Sequence, residues 1–152
     1  MNRLEGNRHI AAFRRLAVAN SVSLGGLQSG RQFDFVVITA AAALAFAVGR
    51  DYREGEVNAL LKEWLAGPGA MLGTDHVEVR RTLVDCRLLE RDGFGRRYAR
   101  AAAPEAWRAA LDALAVVDLV TESRATRAAD AAQRAERKAQ WERRTRFVAA
   151  GQ

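Results

Sequence analysis

The stretch from Tyr52 to Tyr98 most strongly limits what this chain can fold into. Its apolar residues recur at helical spacing, stop at the Gly-Pro-Gly sequence of 67–69, recur again, and end in two short segments around 93–95. Gly and Pro end helices, and glycines that flank a tight turn allow the positive φ of a hairpin. The resulting order of helix, turn, helix and two strands predicts a winged helix-turn-helix.

The second helix of this unit has a sharply predicted start. Asp75 is a preferred N-cap residue, and Glu78 follows three positions later, which is the spacing of a capping box. The apolar residues that follow share one helical face and are predicted to pack on the core. Glu78, Arg81 and Asp85 face the opposite way. This helix, over 75–87, is therefore predicted to expose a charged surface.

Helices are also predicted on both sides of the unit. Residues 8–20 have the spacing of an amphipathic helix, whereas the repeated Ser and Gly of 21–32 indicate a linker. Asp34 to Val48 is apolar nearly all round and is predicted to be a buried helix that Gly49 ends. It is too short, and too rich in Ala, to reach the roughly 20 apolar residues of a membrane span.

The C-terminal third is predicted to be one long helix. Pro104 suits a first helical turn, and no Gly or Pro follows until Gly151. The only predicted break lies at 121–123. The fold class is accordingly mainly α with one β-hairpin: an N-terminal helix and linker over 1–32, a winged-helix domain over 33–101, and a helical extension for oligomerisation over 102–152.

Composition limits the classes of function. The formal charge of +6 and the pI near 10.6 favour a polyanionic partner. However, 22 of the 24 basic residues are Arg and Ala is abundant, which is also the composition that a GC-rich genome produces. A single cysteine, Cys86, excludes an intrachain disulfide and favours a cytoplasmic protein, as does the lack of a signal peptide.

The sequence contains no recognisable catalytic or cofactor motif. No Ser or Cys lies in a glycine elbow, and neither a phosphate-binding loop nor a dinucleotide motif follows a predicted strand. His9 and His76 do not form a metal site of usual spacing with the one cysteine. We therefore expect a protein that is not an enzyme and has no cofactor and no bound metal.

The stretch 52–98 resembles a bacterial family, the domain of unknown function (DUF) family twenty-eighty-seven. The resemblance implies a small winged helix, found alone or fused to ArsR- or GntR-like transcriptional regulators, without an established activity. Arg53 replaces the family's usual Ser, the segment 67–73 lengthens the turn between the two helices, and Cys86 stands where a small or polar residue is common. The matching residues are Tyr52, Glu54, Glu56, Val57, Asn58, Asp75, His76, Arg80, Arg81, Leu83, Val84, Asp85, Leu89, Arg91, Gly95 and Tyr98.

Double-stranded DNA is the partner that this reading favours, in a role in transcription regulation. The helix 75–87 would enter the major groove and the hairpin 88–100 would lie on the phosphate backbone. Glu78 and Asp85 argue against this role, because they lie on the face that would approach the DNA. The predicted DNA-binding residues are His76, Arg80, Arg81, Arg91, Arg96, Arg97 and Arg100.

Other roles for these side chains stay open at this point. In the alternative, one or both of Arg80 and Arg81 would pair with a carboxylate, that of Asp85, Glu78 or Glu56, to fix the helices together. Asn58 is expected to hydrogen-bond a neighbouring turn, and Cys86 is expected to be an unreactive core thiol rather than a redox switch. Two roles are open for Phe94 at the hairpin tip. Its ring either inserts toward a groove or a partner, or packs locally against the turn.

The alternative function is a winged-helix module for protein–protein contacts that does not bind DNA. Its basis is an apolar stripe on the C-terminal helix, where a two-fold symmetric contact would make a homodimer. The predicted dimer interface consists of Trp107, Leu111 and Leu114.

Overall fold

A computed structural model of the chain describes residues 3–151. Residues 1, 2 and 152, at the outer ends of the expected N-terminal and C-terminal segments, lie outside the described residues. The described part holds ten elements in this order: α1 (Arg3–Ala17), α2 (Leu24–Gly30), α3 (Gln32–Ala43), β1 (Asp51–Arg53), α4 (Glu54–Ala66), α5 (His76–Asp85), β2 (Leu89–Arg91), β3 (Arg97–Arg100), α6 (Glu105–Ala115) and α7 (Leu119–Ala150).

The predicted class, mainly α with a β-hairpin, is confirmed. The hairpin strands β2 and β3 are antiparallel, and β1 adds a third strand on the other side of β3. Tyr52 of β1 lies opposite Tyr98 of β3, and both rings are buried. The Tyr52 hydroxyl also accepts a hydrogen bond of 2.8 Å from the Ala47 N–H, which ties the sheet to the end of α3. The short sheet is thereby fixed to the helical core.

The hydrophobic core lies around α3, which packs against α1, α2, α5 and α6. Phe13 of α1, Val37 of α3 and Leu114 of α6 are all fully buried in one continuous cluster with the apolar residues of α4 and α5. All three expected segments of the chain therefore contribute to a single core. No helix within residues 3–151 combines the length and the apolarity that a membrane span requires.

The segment 21–32 is not the linker that its Ser and Gly content predicts. It forms α2, whose N-cap residue Ser23 accepts a hydrogen bond of 3.2 Å from the Gly26 N–H. Leu24 and Leu27 are buried, so packing of this short helix on the core compensates for its glycines. The predicted linker is wrong because two well-placed leucines outweigh local composition.

Two predicted helix ends also differ in the structure. α3 stops at Ala43 instead of Val48, and Gly49, with φ of 80°, lies in the turn that follows. The C-terminal helix breaks at 116–118 and not at 121–123. Asp118 is the cause, because its carboxylate accepts hydrogen bonds from the N–H groups of Val120 and Thr121 at 3.0 and 3.2 Å and starts α7.

The long turn between α4 and α5 is an ordered part of the core. Met71 and Leu72 are buried, and Val22 pairs with the turn through backbone hydrogen bonds of 2.7 Å to Met71 and 3.0 Å from Gly73. At its start, Gly69 lies against the ring of Trp64. A Cβ at Gly69 would come within 2.3 Å of the Trp64 Cζ3 atom.

This contact makes Gly69 the glycine that we expect to tolerate a methyl group least. Gly69→Ala forces the buried indole or the turn to move, so we expect a loss of about 1–3 kcal/mol in the free energy of unfolding, measured by urea denaturation. Gly55→Ala is the control, because nothing lies within 4 Å of a Cβ there. Because Gly55 lies in α4, Gly55→Ala should leave the free energy of unfolding unchanged or raise it by up to about 1 kcal/mol. Equal effects of the two substitutions would contradict the packing at Trp64.

A second prediction concerns Asp34, which joins α1 to α3. Its carboxylate is 7% exposed and forms ion pairs of 2.6 Å with Arg15 and 2.5 Å with Arg31. The hydrogen bond from Arg15 is the main reason that the pKa of Asp34 lies below its ordinary value. Because the pKa is lower in the folded state, the stabilisation is complete above about pH 4 and is lost as the pH falls through the folded pKa.

We therefore expect Asp34→Asn to lower the melting temperature at pH 7. As the pH falls below about 4, the melting temperature of this variant should decrease less than that of the unmodified chain. Thermal denaturation between pH 2 and 7 measures both effects. Asp112→Asn on α6 removes an exposed carboxylate and serves as the control. A parallel pH profile for Asp34→Asn and the unmodified chain would refute a role for this ion pair.

Candidate nucleic-acid interface

Helix α5 packs against strand β2 of the hairpin β2–β3, and both the helix and the hairpin are rich in arginine. α5 begins where Asp75 accepts a hydrogen bond of 2.9 Å from the Glu78 N–H, as its N-cap residue predicts. Val79 and Leu83 bury the inner face of the helix. The chain then reaches β2 in a short turn, because the Leu88 N–H donates to the Leu83 carbonyl at 2.9 Å and closes the helix end.

Arg87 occupies the left-handed position of this turn, with φ of 60°. Glycine is the usual residue at such a helix end, because a Cβ costs roughly 1–2 kcal/mol there. Arg87 is exposed and has no ion-pair partner in the described part of the chain. Backbone strain of this kind is concentrated at functional sites, so an exposed Arg at this position is a candidate contact residue. Arg87 was absent from the predicted site residues; its signal was an Arg directly after the helix, where Gly is expected.

Four of the predicted arginines are exposed on α5 and the hairpin. Arg81 lies on the outer face of α5, and Arg91, Arg96 and Arg97 lie on the hairpin. Arg97 approaches Asp51 at 3.9 Å, but both side chains are about 70% exposed, so the pair contributes little. With Arg87 these residues make five exposed guanidinium groups, named here the arginine surface.

Arg80 points away from the arginine surface into the fold. Its side chain is 15% exposed, donates a hydrogen bond of 2.6 Å to Asn58 Oδ1, and forms an ion pair of 3.1 Å with Glu54. The guanidinium also lies over the Tyr98 ring at 6.0 Å. One side chain thus joins α4, α5 and β3. The structure corrects the prediction of a DNA-facing Arg80; it is an internal tie, and its partner Glu54 is not among the carboxylates expected.

Arg100 and His76 are also less available than predicted. Arg100 is half-buried, donates to the Phe46 carbonyl at 3.4 Å, and has a pKa lowered by burial. Its position at the inner end of β3, opposite Leu89, places it beside the core. His76 is half-buried in the first turn of α5. Neither side chain joins the five exposed guanidinium groups.

The hairpin tip is held in shape by Asp92. Its carboxylate accepts a hydrogen bond of 2.8 Å from the Arg96 N–H, and hydrogen bonds from this and neighbouring backbone amides lower the pKa of Asp92. Gly95 adopts the positive φ of 67° that the turn requires. Phe94 is 84% exposed, with the Arg96 guanidinium 5.7 Å from its ring centre. The tip therefore presents an aromatic ring and arginines to solvent.

Two carboxylates near the arginine surface already accept hydrogen bonds within the chain. The Glu78 carboxylate accepts the Thr74 hydroxyl, and the Asp92 carboxylate is occupied by the turn. Asp85 and Glu90 remain exposed. Cys86 is half-buried, and its pKa is raised by burial and by Asp85, which favours the unreactive thiol.

The predicted dimer stripe lies elsewhere and is used within the chain. Leu111 and Leu114 are buried against the core, and the Trp107 indole N–H donates to the Thr39 hydroxyl at 2.9 Å. α6 packs against α1 and α3. These three side chains are therefore engaged inside this fold and are not a free surface for a second copy.

Comparison with known proteins gives one result. Residues 29–100 match the profile of a family described as "Uncharacterized protein conserved in bacteria (DUF2087)". The match confirms the resemblance and contains α3 to β3, including the whole arginine surface. No curated protein and no solved structure matches the chain.

The contrast between two adjacent arginines can be tested directly. Arg80→Ala leaves Asn58 without its hydrogen-bond donor and Glu54 without its ion-pair partner, so we expect a loss of about 1–3 kcal/mol in the free energy of unfolding. Arg81→Ala removes the same charge from the exposed face and should change the free energy of unfolding by less than about 0.5 kcal/mol. Urea denaturation measures both. If the two variants were equally stable, Arg80 would not be the tie between α4, α5 and β3.

Proposed function

We propose that residues 29–100, the part of the chain that matches the bacterial DUF2087 family, form a winged helix that binds duplex DNA in transcription regulation. The arginine surface is the contact. Arg81 and the outer face of α5 would approach the major groove, and the hairpin arginines would lie along a phosphate strand.

The order of elements supports this proposal. α3, β1, α4, α5 and the hairpin follow one another as a winged helix-turn-helix requires, and β1 closes the sheet against β3. The capped N-terminus of α5 and the buried Val79 and Leu83 hold that helix with its outer face in solvent. A rigid helix beside a rigid hairpin suits recognition of a duplex, since both elements keep a fixed spacing.

Arg87 is the observation that carries the proposal. The fold would be more stable with glycine at this left-handed position, so the side chain is retained at a cost in stability. Arg87 is exposed in the turn that joins α5 to the hairpin, the two elements that would meet the backbone of one duplex. Arg bound to phosphate through two donors is a strong charge-assisted contact.

Charge supports a role in phosphate contact more than in base reading. Asp85 lies beside Arg81 on the outer side of α5, and a carboxylate there disfavours phosphate unless it accepts from cytosine. The exposed hairpin arginines, Arg91, Arg96 and Arg97, outnumber the two carboxylates of the hairpin, Glu90 and Asp92. We therefore assign most of the affinity to Arg87, Arg91, Arg96 and Arg97.

A protein-contact module is the second candidate, favoured by the far end of α7. Trp141, Phe147 and Val148 are more than 60% exposed on a helix whose last three turns have no buried residue. Exposed large apolar side chains of this kind mark interaction surfaces. A homodimer through this end would leave the arginine surface free and is compatible with the first candidate.

DNA binding is tested by fluorescence anisotropy with a mixed-sequence duplex over a salt series. We expect Arg96→Ala/Arg97→Ala to weaken binding about tenfold or more at low salt and to reduce the slope of log K against log salt by about 2. Arg143→Ala/Arg144→Ala on α7 removes the same charge from another place and is the matched control. No binding by the unmodified chain at about 10 μM and low salt would refute the DNA proposal and leave protein contact.

Arg87→Gly separates function from folding in the same assay. We expect it to stabilise the fold by about 1 kcal/mol and yet to weaken DNA binding, because the strain and the guanidinium are removed together. Urea denaturation and anisotropy measure the two effects. A variant that is more stable and binds equally well would show that Arg87 has no part in the contact.

A further inference from the structure

Helix α7 is much longer than the part of it that packs on the rest of the chain. It has 32 residues, which is a length of about 48 Å at 1.5 Å per residue, and Ser123 is its only buried residue. From 131 to 150, Ala139 and Glu142 are half-buried and all other residues are exposed. A helix without a packed face is only marginally stable in water, so this part of α7 fits a role in binding a partner.

The exposed apolar side chains of the described residues are concentrated at the two ends of α7. Five of the nine large ones lie there: Val116 and Val120 at the start, named here the start patch, and Trp141, Phe147 and Val148 at the end, named here the end patch. Val120 also lines a cavity of about 630 Å³ with mostly apolar walls, so the start patch borders a hollow. Apolar patches of this kind mark interaction surfaces.

The two ends of α7 also carry opposite charges. Residues 118–123 contain Asp118 and Glu122 and no basic residue, whereas residues 143–150 contain Arg143, Arg144 and Arg146 and no acidic residue. A second α7 in parallel order would place arginines beside arginines. In antiparallel order each basic end meets an acidic start, so the charges favour an antiparallel partner of the same sequence.

Arg124 and Glu142 give this pairing a register. They are 18 residues apart, which is five helical turns, so they lie on one face of α7 about 27 Å apart. Neither side chain belongs to an ion pair within residues 3–151, and the distance prevents them from meeting within one helix. Between them the same face carries Ala128, Ala131 and Ala135, whose small side chains let a second helix approach closely.

We propose that α7 pairs with α7 of a second copy in antiparallel order, with the two-fold axis halfway between Arg124 and Glu142. Each Arg124 then faces Glu142 of the partner subunit, and the ion pair forms twice, as an interface with two-fold symmetry requires. The same register places the partner's Trp141 and the partner's Val148 beside residues 118–125, next to the apolar cavity. The inference rests on the protein-contact role proposed above as the second candidate, and it is independent of DNA binding.

The register is tested by reversing the two charges and measuring the dissociation constant of the dimer by sedimentation equilibrium. We expect the unmodified chain of 16.7 kDa to dimerise with Kd below about 50 μM. Arg124→Glu and Glu142→Arg each bring like charges together twice, so each should raise Kd about 5–30-fold. Arg124→Glu/Glu142→Arg restores opposite charges and should return Kd to within about threefold of the unmodified value. Arg137→Glu, on another side of α7, is the control and should change Kd less than about threefold.

The apolar part of the contact is tested by Trp141→Ala in the same experiment. The indole is 67% exposed in the single chain, so its removal leaves the core intact and should raise the Kd of the dimer about tenfold or more. Phe94→Ala removes an equally exposed aromatic ring from the hairpin tip and should leave the Kd of the dimer unchanged.

A chain that stays monomeric at about 300 μM overturns the proposal and leaves the end patch to a different kind of partner. A dimer that the double charge reversal does not restore, or that Trp141→Ala does not weaken, uses another interface; this result overturns the proposed register but keeps the protein-contact role. Anisotropy with duplex DNA separates this inference from the DNA proposal, because a monomer that binds DNA overturns only the dimer.

Discussion

The guanidinium of Arg80 holds together the elements on which the rest of the 29–100 unit depends. From α5 it donates a hydrogen bond to Asn58 and forms an ion pair with Glu54, both on α4, and it lies over the Tyr98 ring of β3. Because the guanidinium is mostly shielded from water, its hydrogen bond to Asn58 is stronger than one at an exposed site. This contact links α5 to α4 and to β3 of the hairpin.

The twenty-two arginines of this chain therefore divide into different physical roles. Three of them hold elements together. Arg15 binds Asp34, Arg80 binds α4, and Arg127 donates to carbonyl oxygens at the ends of α1 and α4. The arginine surface is exposed and largely unpaired. A basic composition by itself does not distinguish these roles, whereas burial and partners do. The five exposed groups on α5 and the hairpin make the DNA proposal specific.

The sequence predicted the unit at 52–98 well, because local signals agree there. The cap at Asp75, the Gly-Pro-Gly stop and the Gly95 turn each act within a few residues, and each has its expected effect in the structure. The same local reasoning failed for 21–32, where Ser and Gly predicted a linker and two buried leucines produced α2. Local reasoning also misplaced the break of the C-terminal helix at 121–123, because it took Asp118 to lie inside a helix, whereas Asp118 is the N-cap of α7.

By itself the sequence determined the class of the fold, the order of helices and strands over 52–98, and the family resemblance that the match over residues 29–100 confirms, since these follow from periodicity, caps, turns and motif. Tertiary structure alone decided which polar side chains are free. Arg80 and Arg81 are adjacent in the chain, but one is bonded to α4 and the other is in solvent. Contacts between residues distant in sequence also engage Trp107, Leu111 and Leu114 within the fold. They leave the buried Trp64 N–H without a hydrogen-bond partner within residues 3–151.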